Sequence, residues 1–368
     1  MVKGIYIAAS NQHVGKTTCT LGLVAALKNK SINVGYCKPL GQRYVHHNGK
    51  RVDKDAAVFA KLMNFELAPE LHSPVIMGGG DSVRYIENPD DYNARIEKAL
   101  VHAATTLDQQ HELVVYEGTG HPGVGSVFDF SNADVAKKLG LGVILIVEGG
   151  IGNTIDRLSL CKNYFDAVGV NVVGVIINKV IPNKMEKVRK YLKLYLDRHN
   201  IEILGMIPFA EELVYPLVTT IVKEIKGEVL VAAKNLDTLV QHVMAGSLVD
   251  LEDVNVLKRS LLVVSARRLT AAMSKLRRFW DEKKVEPNLV GVVVTGPAMI
   301  SNDWKNYLKN HNISLIHTNY DPYETVIKID NLHVKINTKT PQKIEKAIEL
   351  FERHVNVSRI YELMGIRL

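Results

Sequence analysis

Cysteine is nearly missing from this chain. The 368 positions hold Cys19, Cys37 and Cys161, an odd number at no metal-ligand spacing. That excludes a disulfide scaffold and a zinc cluster, and the three read as mostly buried, reduced thiols of a cytoplasmic protein. Long apolar runs are lacking too. No stretch approaches the length that crosses a bilayer and no secretory leader precedes the first strand, so neither a membrane span nor export is expected. There is no internal repeat, low-complexity tract, dinucleotide fingerprint or serine–histidine–acid nucleophile signature. Tryptophan occurs twice, at Trp280 and Trp304, outside any motif, which suits packing.

What is present describes an ordinary globular chain, 46% hydrophobic and 23% charged. Its length exceeds a single core, so two domains are expected. The net charge of +7 fits an anionic ligand or a basic surface. Lys184, Lys187, Lys190 and Lys193 lie along one helical stretch with no aromatic residues interleaved in a binding pattern. They read as a solvated helix face, and a nucleic-acid partner is not expected.

The most informative stretch runs from Lys3 to Leu23. An apolar run, Gly4 to Ala9, passes through a polar loop into Gly15-Lys16-Thr17-Thr18, and an amphipathic helix follows. Strand, loop and helix in that order are what a phosphate-binding loop needs, because backbone amides and a helix N-terminus then face anionic oxygens. Lys16 supplies a cation for the outer phosphates and the Thr17 hydroxyl a ligand for Mg²⁺. Ser10 stands where the motif has its first glycine, which is compatible if its φ stays negative.

Further apolar strands follow. Ile32 to Lys38 ends in Lys38-Pro39, with Pro39 holding Lys38 at the strand's carboxyl end. Asp55 opens a helical pattern, either as its cap or as a metal ligand. Residues 72 to 93 lack a period, and Gly78-Gly79-Gly80 marks a loop. Glu112 to Tyr116 runs into Glu117-Gly118-Thr119-Gly120-His121-Pro122-Gly123, an acidic strand end followed by backbone able to approach a ligand closely. Gly142 to Val147, Val170 to Ile177 with Asn178, and Ile203 to Pro208 complete the set. Continuous apolar strands alternating with helices predict an α/β fold, a parallel sheet with helices on both faces. Lys16, Lys38, Glu117 and Asn178 should gather along one sheet edge. His13 and His121 are candidate ligand contacts, and His121 a candidate proton carrier.

Four motifs in this order and spacing resemble the dethiobiotin synthetase group of P-loop proteins over residues 3 to 208: His13-Val14-Gly15-Lys16-Thr17, Tyr36-Cys37-Lys38-Pro39, Glu117-Gly118-Thr119-Gly120, and Asn178 before Leu204-Gly205-Met206-Ile207-Pro208. The resemblance implies ATP and Mg²⁺ as cofactors and phosphorylation of a carboxylate or carbamate to drive ligation or cyclisation. It implies catalytic roles for Lys16, Lys38 and Glu117, and nucleotide contacts from Gly15, Lys16, Thr17, Thr18, Asn178 and Pro208. Thr17, Asp55 and Glu117 would surround the metal, with Asn178 reading the adenine edge. It also implies a homodimer acting on a small-molecule carboxylate or amine. This chain departs at Gly41-Gln42-Arg43 and His121-Pro122-Gly123, where that group's substrate would lie.

Residues 209 to 368 read as a second, smaller α/β domain, with strand patterns at Glu228 to Ala232, Leu261 to Val264, Leu289 to Val294 and Ile313 to His317. Their order resembles the DRTGG domain at the front of long phosphate acetyltransferases, although Ser265-Ala266-Arg267-Arg268 departs from its naming motif. Arg267-Arg268 reads as an anion contact or as surface charge. That resemblance implies an alternative, a non-catalytic nucleotide sensor.

Overall fold

Val, Ile, Leu and Tyr dominate the strands of the first unit, as burial on both faces requires. The computed structural model describes residues 3–234, 236–246, 258–297, 300–332 and 340–364. Six parallel strands lie in the order Ile203–Pro208, Val172–Val180, Gly142–Glu148, Gly4–Ala9, Leu113–Glu117 and Val34–Cys37. From Gly4–Ala9 the chain moves toward Val34–Cys37, and from Gly142–Glu148 it moves the opposite way toward Val172–Val180. Loops that diverge like this open a crevice at the carboxyl edge between the two central strands, where open α/β sheets take ligands. The strands are buried almost throughout, and the helices Lys16–Asn29, Pro89–Gln110, Gly152–Val168 and Met185–Arg198 turn buried residues to the sheet. All three cysteines are free and buried.

Two compact units result, Met1–Ala210 with Ile336–Leu368, and Glu211–Lys335. The expected division, with residues 209–368 as one domain, departs from this at the C-terminus. The helix Pro341–His354 packs on Lys16–Asn29, and Phe351 Cβ lies 2.3 Å from where a Cβ on Gly22 would be. Val355 bridges Gly205, Asn356 N donates to the Leu204 carbonyl (2.8 Å), and Arg359 grips Glu202 with two nitrogens (2.8 and 3.0 Å). The amphipathic stripe Ile344, Ala347, Ile348 and Phe351 marks a packed helix, but periodicity does not say what it packs on.

In the second unit a five-stranded sheet runs Glu228–Val231, Ser314–Thr318, Leu289–Thr295, Ser260–Ser265 and His242–Ala245, with only the first strand antiparallel to its neighbour. His242–Ala245 is a strand that the sequence reading did not contain. Trp280 is buried in the core beside Met273 and Leu276, as its packing reading required. Arg267 and Arg268 are exposed in a short turn after Ser260–Ser265. Among the described residues no helix is long and apolar enough to cross a membrane.

Candidate functional site

Backbone handedness alternates through the phosphate-loop sequence. His13 (φ 63°) and Gly15 (φ 101°) are left-handed, while Val14 and Lys16 are not. Alternation of this kind turns successive amides toward one point and forms an anion-binding nest. Ser10 keeps a negative φ, so a side chain there costs the turn nothing. Gly15 has no such latitude, because a Cβ on it would lie 2.2 Å from Asn178 Nδ2. Lys16 begins the helix Lys16–Asn29, which adds the positive end of the helix dipole.

Lys16 Nζ donates to the Gly120 carbonyl oxygen (3.2 Å), tying the loop to the glycine-rich turn after Leu113–Glu117. Thr17 Oγ1 donates to Glu117 Oε1 (2.7 Å), and Tyr36 OH to Glu117 Oε2 (3.1 Å). Tyr36 stacks on Phe59 with ring centroids 3.9 Å apart. Lys38, 4% exposed, lies between two acids, with Nζ 2.6 Å from Asp55 Oδ2 and 3.3 Å from Asp53 Oδ1. The sheet edge thus brings Lys16, Thr17, Lys38, Asp55 and Glu117 into one linked set of side chains.

Burial and charge together shift the titrations of the site. Burial pushes the Glu117 carboxyl above its usual range, against the pull of Lys38, Lys16 and the Thr17 hydroxyl, with Asp55 adding to the rise. Burial works to lower the Lys38 ammonium, but Glu117, Asp53 and Asp55 outweigh it and hold the group above its ordinary value. Burial and Glu117 likewise raise the Tyr36 phenol.

Asn178 reaches the loop from Val172–Val180, which is separated from Gly4–Ala9 by the strand Gly142–Glu148. Its Nδ2 donates to the Val14 carbonyl (2.8 Å) and its Oδ1 accepts from Lys179 N (2.9 Å). Reading an adenine edge would therefore require the Val14 bond to open. Pro208 ends the next strand, registered against Val180. Thr18 is half-buried in the first helical turn. His13 is exposed, and His121 is exposed with its Nδ1 accepting from Gly123 N (3.2 Å). The cap of the helix Lys54–Met63 is Asp53, which accepts from Asp55 N, and not Asp55.

One residue escaped the sequence reading. Asn132 accepts from Tyr6 OH (2.8 Å) and Thr119 N (2.9 Å), and donates to the Thr119 (2.7 Å) and His121 (2.6 Å) carbonyls. It pins the turn that Lys16 touches, and the Thr119 hydroxyl reaches on to the Leu40 carbonyl. Ser131 and Asp134 form a capping box that marks the helix start, yet nothing local marks Asn132 within it. Stranding buried polar groups costs about 1–3 kcal/mol each, so Asn132→Ala is expected to destabilise by about 2–4 kcal/mol. At 2–4 °C per kcal/mol for units of this size that is a fall in Tm of roughly 5–15 °C, read by calorimetry.

Among the described residues no group of three or more His, Cys, Asp or Glu forms an all-protein metal cage. The donor set nevertheless fits Mg²⁺, which takes a hydroxyl and one or two carboxylates and completes its shell with phosphate oxygens and water. Thr17 Oγ1 and Glu117 Oε1 already converge, and the fully buried Glu117 gains from a cation beside it.

A family model described as an AAA domain matches residues 3–217. The phosphate acetyltransferase of Nitratidesulfovibrio vulgaris is 22% identical over 98% of this chain, and that of Synechocystis sp. 24% over 98%. The chain spans about half the length of these relatives, 51% of each. The dethiobiotin synthetase of Methanocaldococcus jannaschii is 28% identical over 56% of this chain and 95% of its own length. Among solved structures, the MinD cell division protein of Aquifex aeolicus is similar at a TM-score of 0.35 with 12% identity, over 57% of this chain and 84% of that one.

Proposed function

This chain belongs to the AAA-domain family, matched over residues 3–217, and from that membership we propose that it binds ATP with Mg²⁺ and phosphorylates a carboxylate or carbamate. The observation that carries the reading is the convergence of Lys16, Thr17, Glu117 and Lys38 at one sheet edge. Lys16 and the loop amides hold the triphosphate, and Asn178 and Pro208 lie on the side of the base. Thr17, Glu117 and Asp55 would hold the metal, which would supply positive charge to offset the triphosphate's. Lys38, kept charged by its carboxylates, orients an anionic oxygen of the co-substrate. That oxygen forms a bond to the γ-phosphorus as the bond to the bridging oxygen breaks, leaving ADP and an acyl phosphate ready for ligation or cyclisation. Most of the barrier is lowered by positioning and charge neutralisation. The similarity to dethiobiotin synthetase supports this chemistry.

The reading includes a cytoplasmic homodimer. Leu160 and Tyr164 are exposed one helical turn apart, and the Tyr164 hydroxyl meets Ser126 Oγ (3.1 Å) beside exposed Val127. An apolar patch next to the glycine-rich turn suits a subunit contact. The similarity to phosphate acetyltransferases over 98% of the chain favours a second reading, a non-catalytic nucleotide sensor.

Calorimetric titration with Mg-ATP, paired with ADP release in the presence of small carboxylates, separates these. The enzyme reading expects binding and carboxylate-stimulated ADP release, with both lost in Lys16→Ala. The sensor reading expects binding without turnover. Equal binding by wild type and Lys16→Ala removes both.

A further inference from the structure

Asp53 has no part in the proposed reaction, yet its carboxylate is buried and held from two sides. Its side chain is 3% exposed, against 14% for Asp55. Asp53 Oδ1 accepts the Asp55 backbone N–H (2.8 Å) and is ion-paired with the Lys38 ammonium (3.3 Å), and Asp53 N donates to Ser73 Oγ (2.9 Å). Gly41 provides the space. A Cβ on Gly41 would lie 2.8 Å from both Asp53 Cβ and Asp53 Oδ2, so the carboxylate keeps its place only because position 41 has no side chain.

Asp55 differs. Its carboxylate belongs to the first turn of the helix Lys54–Met63, is more exposed, and holds Lys38 at 2.6 Å. It therefore has two claimants, the ammonium and the divalent cation assigned to it under the proposed function. If Asp55 turned to a metal and Lys38 had no other acid, a buried ammonium would be stranded, and that penalty would hold Asp55 where it is.

We infer that Asp53 is a positioning residue, the standing counter-ion of Lys38, whose hold lets Asp55 exchange the ammonium for the divalent cation of a metal–nucleotide complex. This rests on the Mg-ATP reading and deepens it. Lys38 stays charged and paired with Asp53 through the exchange, while release from the shorter of its two ion pairs frees it to face the co-substrate. Asp53 acts through Lys38 and Asp55 and touches neither metal nor nucleotide.

The test is a double-mutant cycle read by binding. The quantity is the ratio of affinities for the non-hydrolysable analogue AMPPNP with and without Mg²⁺, measured by calorimetry. Asp53→Asn should cut that ratio roughly tenfold, the scale on which residues behind a metal ligand act. In a Lys38→Met background the same substitution should change it less than about twofold, because the competition it relieves is gone. A through-space charge effect would instead give equal losses in both backgrounds, and that result overturns the inference while leaving Mg-nucleotide binding intact. Failure of the wild type to bind AMPPNP at all would sink the parent reading, and the inference with it. Gly41→Ala is the second variant, since its methyl would press on Asp53 (2.8 Å) and on Ile76 Cδ1 (2.7 Å) while leaving every charged side chain in the sequence. With a metal-free melting curve showing the fold retained, it should reproduce the roughly tenfold loss, and an unchanged ratio counts against the inference.

Discussion

Gly15→Ala is expected to weaken Mg-ATP binding by roughly 30-fold or more while lowering the Tm only slightly. Two costs combine. A left-handed backbone charges a Cβ-bearing residue about 1–2 kcal/mol, and Gly15 sits at φ 101°. The new methyl would also stand 2.2 Å from Asn178 Nδ2, forcing it off the Val14 carbonyl at about 1–3 kcal/mol for the stranded buried group. Together these amount to about 2–5 kcal/mol, and every 1.4 is tenfold in affinity. Global stability is spared because the loop is a half-exposed connection whose opening leaves the sheet intact. Calorimetric titration checks the first part and a melting curve the second.

Lys38→Met has the largest expected effect on stability, a loss of about 3–5 kcal/mol at neutral pH, because removing one partner of a buried ionic cluster strands the others. Lys38 faces Asp53 and Asp55 directly, and Glu117 is its largest electrostatic partner. The pH dependence follows from the shifts. The Lys38 ammonium is raised above its ordinary 10.5. Its contribution is therefore complete below that value and is lost only as pH rises through the higher folded value, so the wild type keeps it across the neutral range. Glu117 is raised above 4.5. The advantage of its protonated form is complete below 4.5 and is lost as pH climbs through the folded value, above which the ionised, buried carboxylate depends on Lys38 and Lys16 to offset its charge. Without Lys38 that burden grows, so the deficit of Lys38→Met should shrink on acidification toward 4.5. Urea unfolding at several pH values measures it; a deficit independent of pH would show that packing and not charge is what the lysine supplies.

The phosphate loop and the strands of the first unit were legible because both signals are local. Continuous apolar runs such as Val172–Val180 can only be buried strands or helices, and the flanking glycines and prolines choose between them. The hairpin Tyr44–His47 with Lys50–Asp53 was not read, because its first strand is largely exposed and does not alternate. Its signal was present in Asn48-Gly49, both with positive φ, the pair that two-residue hairpin turns demand. Missing that hairpin also hid Asp53, which it delivers to the site. In the stretch from 72 to 93, which lacks a period, the chain forms the helix Asp81–Glu87, too short to display one.

Other features depend on partners far away in sequence. Asn132 works through Tyr6 and the turn at 119–121, and Phe351 through Gly22. A single position carries no trace of contacts like these. The exchange of roles at the second helix, with Asp53 as cap and Asp55 on Lys38, turns on a two-residue difference in where the helix starts, and helix boundaries are the least legible feature of a sequence.

The central assignment is that Lys16, Thr17 and Glu117 form a metal–triphosphate site. A crystal structure grown with AMPPNP and Mg²⁺ tests it most directly. The expected density has the β- and γ-phosphates against Lys16 and the amides of residues 13–18, with a cation between Thr17 Oγ1 and Glu117. Nucleotide bound elsewhere, or Lys16 still on the Gly120 carbonyl with no phosphate beside it, would contradict the assignment.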